Sequence, residues 1–153
     1  MLASKWAIAT FGQSTKDDWE TPQPFFDELD AEFGFTWDVC AHPWNAKCVD
    51  FFTPEQDAFN FPWHGVCWMN PPYGRGISDW MFKAFHEAQE GATVVCLVPA
   101  RTDTGWWHDY AMRGEIRFIR GRLRFSGSKI NAPFPSAVVI FRPATEQEQP
   151  DAN

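Results

Sequence analysis

Val66-Cys67-Trp68-Met69-Asn70-Pro71-Pro72-Tyr73 is an apolar run that stops at an Asn-Pro-Pro-Tyr turn, with Gly74 directly behind it. Four apolar residues bounded by such a turn read as a short buried strand, Val66 to Met69. Neither proline has a backbone N–H and both restrict φ, so the chain leaving the strand is stiff and rich in unpaired acceptors. The side-chain oxygen of Asn70 and the carbonyl of Pro71 can then point at one spot. Two acceptors converging on an exocyclic NH₂ hold both of its hydrogens and present its lone pair to an electrophile. That is chemistry on a planar nitrogen, and Tyr73 adds a flat face on which a base can stack. A proline-rich turn behind a core strand is the plainer reading of the same residues.

The residues on either side make this strand part of an α/β unit. Ile77, Trp80, Met81, Ala84, Phe85 and Ala88 recur at spacings of three and four between Gly76 and Glu90, with Asp79, Lys83, Glu87 and Glu90 opposite, which predicts an amphipathic helix. Thr93 to Pro99 is a continuous, β-branched apolar run, the mark of a strand covered on both faces. Strand, helix, strand implies a right-handed parallel crossover. Upstream, Thr21-Pro22 reads as an N-cap and first helical position, Phe25, Phe26, Leu29 and Phe33 as an apolar face, and Gly34 as the C′ residue. Strand candidates follow at Phe35 to Cys40 and Cys48 to Phe52. Downstream, Thr102-Asp103-Thr104 can cap a further helix, Glu115 to Phe125 alternates with Gly121 as a bend, and Ala137 to Phe141 is a last buried strand. In open α/β sheets ligands collect outside the carboxyl ends of strands, so Asp38 and Asn70 are expected to face one crevice.

The run Trp68 to Gly74 resembles motif IV of the S-adenosylmethionine-dependent amino-methyltransferases. Trp19-Glu20-Thr21-Pro22, Asp38-Val39-Cys40-Ala41 with Asn45, and Asp57-Ala58-Phe59 are similar, in order and spacing, to the short phage and prophage DNA N6-adenine methyltransferase (Dam-like) family. Together these blocks cover roughly residues 17 to 142, most of the chain. The resemblance implies a single-domain Rossmann-like class I methyltransferase fold: α/β, a mostly parallel central sheet with an antiparallel edge, and helices on both faces. It also implies S-adenosylmethionine as cofactor. Trp19, Thr21 and Pro22 are then expected near the donor's carboxylate, Asp38 near its ammonium, and Cys40 and Ala41 where the donor approaches closely. Asn45 is expected at the ribose, Asp57 at the donor adenine's amino group, and Phe59 against that ring. Asn70, Pro71, Pro72 and Tyr73 would hold the target base. A glycine-rich loop after the first strand, usual in methyltransferases, is replaced by Asp38-Val39-Cys40-Ala41-His42-Pro43-Trp44. Asp38 and Asp57 can equally serve as loop caps, since Asp often hydrogen-bonds its own turn.

Composition fits one compact enzyme domain. At 153 residues there is room for a single sizeable core, and aromatics at 17% exceed what a disordered chain carries. Residues 1–18 read as an arm, 19–143 as the domain and 144–153 as a polar tail. No segment approaches the roughly 20 apolar residues of a membrane span and no signal peptide precedes the domain, which points to the cytoplasm, for this family that of a bacterial host. Cys40, Cys48, Cys67 and Cys96 lack CxxC spacing and the four histidines are scattered, so free thiols and no metal are expected.

The net charge of −7 is unusual for a nucleic-acid enzyme, but it is unevenly spread. Arg113, Arg117, Arg120, Arg122, Arg124 and Lys129 cluster with Glu115 as the only acid among them, giving a segment of +5 on a remainder of −12. Arg117, Arg120, Arg122 and Arg124, with Lys129 and Asn131 from the loop 126–136, are the candidate contacts to DNA, expected to be duplex. Pairing of these arginines with nearby acids is the alternative. The protein is expected to act as a monomer or homodimer. Three other functions remain compatible with the residues: methylation of cytosine N4 or of RNA, methylation of a protein glutamine amide, and a non-catalytic binding module that keeps the fold.

Overall fold

The computed structural model describes residues 18–144; the expected arm and tail lie almost wholly outside the described residues. Six strands form one mixed sheet: β1 (Trp37–Asp38), β2 (Asp50–Phe51), β3 (Val66–Met69), β4 (Thr93–Pro99), β5 (Glu115–Phe118) and β6 (Ser136–Phe141). Among the described residues there are three α-helices, α1 (Gln23–Phe33), α2 (Ile77–Gln89) and α3 (Gly105–Asp109), and two 3₁₀ turns, Ala58–Asn60 and Ala111–Arg113.

The spatial order is β2-β1-β3-β4-β6-β5. The first four strands of that order are parallel to one another, whereas β6 runs antiparallel to both β4 and β5. The antiparallel strand is therefore internal, a correction to the expected antiparallel edge. Its residues explain the position: Ser136 to Phe141 are all buried, and Ala137 to Phe141 are all apolar. The edge goes instead to β5, whose Glu115 and Arg117 are charged and whose backbone can face water.

The middle of the chain forms where its pattern predicts, except that Glu87, expected on the polar face of its helix, is buried beside Lys83. In α2 the residues Ile77, Trp80, Met81, Ala84 and Ala88 are buried, and β3 occupies Val66 to Met69. Buried Trp68 lies edge-on to Phe26 of α1, with ring centroids 5.5 Å apart, which docks that helix on the sheet. Helix α1 stops at Gly34, whose φ of 68° is left-handed and whose N–H bonds the Asp30 carbonyl. Its start differs from expectation. Pro22 is the N-cap residue, there is no side-chain cap, and the Thr21 hydroxyl is engaged elsewhere.

Strands β1 and β2 are only two residues long, shorter than the runs 35–40 and 48–52, although ladder-like bonds continue beyond them. Val39 N–H bonds the Trp68 carbonyl and Phe52 N–H bonds that of Asp38. Strand β5 ends at Phe118; one more bond, from the Ile119 N–H to the Ser136 carbonyl at the start of β6, follows before Gly121 at φ 75° turns the chain away. The expected strand to Phe125 is therefore a loop.

From β1 the chain moves outward to β2 and then returns to the other side of β1 to form β3. This reversal makes a topological switch point between β1 and β3, where parallel α/β sheets open a ligand crevice. Asp38 ends β1 and Asn70 follows β3, so both flank it.

Candidate active site

The crevice begins with the turn after β3. The Asn70 Nδ2 group donates to the Trp19 carbonyl at 2.5 Å and to the Thr21 hydroxyl at 2.9 Å. Its Oδ1 is buried and has no hydrogen-bond partner among the described residues. A buried acceptor without a partner costs about 1–3 kcal/mol, so such atoms are rare unless a ligand serves them. An amide oxygen in that state can accept from an NH group that enters the cleft.

Across the switch point, Asp38 is 3% exposed and accepts from the backbone N–H groups of Cys40 (3.2 Å) and Lys47 (3.0 Å). Burial pushes its carboxyl up to about 7, with those two N–H groups pulling the other way. The turn beyond it is closed by Asn45, which accepts the His42 N–H at 2.7 Å through Oδ1 and donates its own N–H to the His42 carbonyl. The His42 ring lies parallel to Trp44, 4.4 Å between centroids. Small residues Cys40 and Ala41 leave the wall of the cleft open to a bulky ligand.

Trp19, Thr21, Asp38, Cys40, Ala41, Asn45, Asn70, Pro71 and Pro72 all line one cleft of about 520 Å³, part of it open to solvent. Asp18, Glu20, His42 and Lys47 line it as well and were not singled out from the sequence. Glu20 and His42 sit inside or beside the motif blocks, which is a usable signal; Lys47 carries none.

Four expected residues do not line this cleft: Pro22, Asp57, Phe59 and Tyr73. Asp57 caps the 3₁₀ turn at φ 60°, accepting from the Phe59 N–H at 3.2 Å, and Phe59 packs against Trp80. The capping alternative thus describes how Asp57 is held. Tyr73 is enclosed by neighbouring rings. Its ring is buried, edge-on to Phe125 and Phe134 at 6.2 and 5.6 Å, and its hydroxyl donates to the Leu97 carbonyl at 2.9 Å. In this arrangement it offers no face to a base, because Phe125 and Phe134 of the β5–β6 connection occupy the space beside it and also pack on Trp19.

Residues 9–149 match the family model described as DNA N-6-adenine-methyltransferase (Dam). The chain belongs to the Dam family. It is also 32% identical over 142 residues to the DNA N-6-adenine-methyltransferase of Haemophilus phage HP1 (strain HP1c1), covering 86% of this chain and 82% of the relative. Membership makes the chain a DNA adenine methyltransferase, implies S-adenosylmethionine as methyl donor, and makes DNA its substrate.

For a Dam-family enzyme the placement of cations matters, and the basic segment divides in two. Arg117 is bidentate to Glu32 at 2.7 and 2.8 Å and also bonds Glu115, which in turn takes Arg142. These partners hold the Glu32 and Glu115 carboxyls below their ordinary values. Arg117 is thus engaged in ion pairs, the alternative weighed for these arginines. Arg120, Arg122, Arg124, Lys129 and Asn131 are exposed, and none of the four cations pairs with an acid among the described residues. Arg75 and Arg101 are exposed too and follow the carboxyl ends of β3 and β4. Their position after strand ends was the signal that charge clustering overlooked.

Among the described residues no group of three His, Cys, Asp or Glu is placed to hold a metal ion, and all four cysteines are free. No described helix is long and apolar enough to cross a membrane.

Proposed function

We propose that residues 19–143 form a Rossmann-like methyltransferase domain that modifies N6 of an adenine rotated out of duplex DNA into the cleft at the switch point. The observation that carries this reading is the unpartnered, buried Oδ1 of Asn70. It lies beside a turn in which neither Pro71 nor Pro72 has a backbone N–H, so the Pro71 carbonyl is a second acceptor for the same ligand. These two oxygens accept the two N6 hydrogens, which draws the nitrogen's lone pair out of conjugation with the ring. Extrusion of the base from the duplex is required because N6 is otherwise engaged in pairing.

S-adenosylmethionine, when bound, supplies a methyl group already activated by its sulfonium. The residues present suit it: the Asp38 carboxylate, buried and held only by backbone N–H groups among the described residues, is a ready partner for the donor's ammonium. Cys40 and Ala41 give room, and the Nδ2 of Asn45 remains to reach a ribose hydroxyl. The work of the protein is then positioning and desolvation, with no covalent enzyme intermediate. Arg122, Arg124 and Lys129, with Arg75 and Arg101, form the phosphate-facing cations.

Incubation with labelled S-adenosylmethionine and unmethylated duplex DNA, followed by nucleoside analysis, tests the reading. Label is expected in N6-methyladenine, and Asn70→Ala is expected to lose it by at least about a hundredfold while donor affinity holds. Label in cytosine, or an Asn70→Ala variant as active as the parent, would overturn it.

A further inference from the structure

The orientation of the Asn70 amide is not free, and the residues that fix it lie about fifty positions upstream. Its Nδ2 donates to two acceptors, the Trp19 carbonyl and the Thr21 hydroxyl. The carbonyl can only accept, so turning the amide over would set two oxygens against each other. With both Nδ2 hydrogens taken, Oδ1 is the amide atom left over, buried and without a partner among the described residues.

Thr21 is built for this contact. It is 3% exposed, and its hydroxyl is not used to cap α1, whose first-turn N–H groups receive no side-chain bond. The segment that carries it is tied down by the β5–β6 connection: Ser126 N–H donates to the Glu20 carbonyl at 2.9 Å and Ser126 Oγ to the Thr21 carbonyl at 3.2 Å. A hydroxyl in a fixed backbone, aimed at a fixed amide, sets a rotamer.

We infer that Thr21 is a positioning residue for methyl transfer: it and the Trp19 carbonyl clamp the Asn70 amide so that Oδ1, and not Nδ2, meets the target amino group. This assigns Thr21 to the base side of the site and not to the donor's carboxylate. The inference rests on the proposed role of Asn70 Oδ1.

The test compares Thr21→Val, Thr21→Ala and Thr21→Ser with the parent protein in three readouts: kcat for methylation of duplex DNA, Kd for S-adenosylmethionine by calorimetry, and the thermal midpoint. Valine and alanine are expected to lower kcat about ten- to a hundredfold with donor Kd within about twofold, and serine to restore most of the rate. The alanine variant carries the same expectation should valine not fold. A parental kcat in the valine and alanine variants overturns the inference. So does a loss of donor binding in step with kcat, which would move Thr21 to the donor, and so does failure of serine to restore the rate. An active Asn70→Ala defeats the underlying reading itself; an inactive Asn70→Ala beside an unaffected Thr21→Val defeats only the clamp.

Discussion

Asp38 carries a charge problem that its neighbours do not solve alone. Its carboxyl sits at about 7 against an ordinary 3.8, because burial opposes ionisation more than two backbone N–H groups favour it. The native chain therefore keeps a proton that the unfolded chain has already lost between those two values. By linkage, this group's contribution to stability falls as pH rises from about 4 to about 7. A ligand ammonium placed against the carboxylate reverses that cost once the group is ionised. Saturating S-adenosylhomocysteine, which shares the donor's amino-acid end, is expected to raise the thermal midpoint more at pH 8 than at pH 6. Asp38→Asn should remove the difference, and equal shifts at both pH values in the parent would exclude the contact. Asp38 and Asn70 were legible in the sequence because each stands at the end of an apolar strand, where position alone directs a side chain to the crevice. The burial of Tyr73 was not, since it depends on Phe125 and Phe134, more than fifty residues away in sequence.

Among the elements, the connection from β5 to β6 shows best how one stretch of basic sequence serves two purposes. Arg117 lies on the strand and is locked by Glu32 and Glu115, whereas Arg122 and Lys129 lie beyond Phe118 where the strand has lost its partner. Charge counting treats these residues alike; only the register of β5 on β6 and the approach of α1 tell them apart. Replacing both Arg122 and Lys129 with alanine is expected to weaken DNA binding and to reduce the slope of log affinity against log salt by about two. Arg117→Ala is expected to leave that slope unchanged. The reverse pattern in salt-titrated binding would place the DNA on the β5 edge. Elements with strong local patterns, α2, β3 and β4, were readable to within a residue or two, because burial on one or both faces dominates their composition. Short strands β1 and β2 were overlong in the sequence reading because hydrophobicity continues where regular pairing stops.

For the whole molecule, the internal place of β6 decides how tightly the two halves of the sheet close. Gly114 enters β5 against that strand, and a Cβ there would meet the Ile140 carbonyl at 2.8 Å and the Phe141 ring at 3.0 Å. Its backbone is extended, so space and not conformation demands glycine. Gly114→Ala is expected to cost about 1–3 kcal/mol, read as a lower denaturant midpoint with unchanged slope. A parental midpoint would mean that β5 and β6 part freely at that point. The sequence specified an α/β chain and the parallel pairing of β3 with β4, but the position of β6 depends on which of two late strands is wholly apolar, a comparison between elements.

The pairing of β1 with β3, in which Trp37 faces Cys67 and Asp38 faces Trp68, has a consequence for how this enzyme can change. The offset between the acid that ends one strand and the amide that follows the other is set by a hydrogen-bond ladder, as graduations are set on a ruler. The stretch Gly127 to Asn131, largely exposed, takes no part in that spacing. It can be lengthened, shortened or exchanged for new DNA sequences while the offset between Asp38 and Asn70 stays where the sheet puts it.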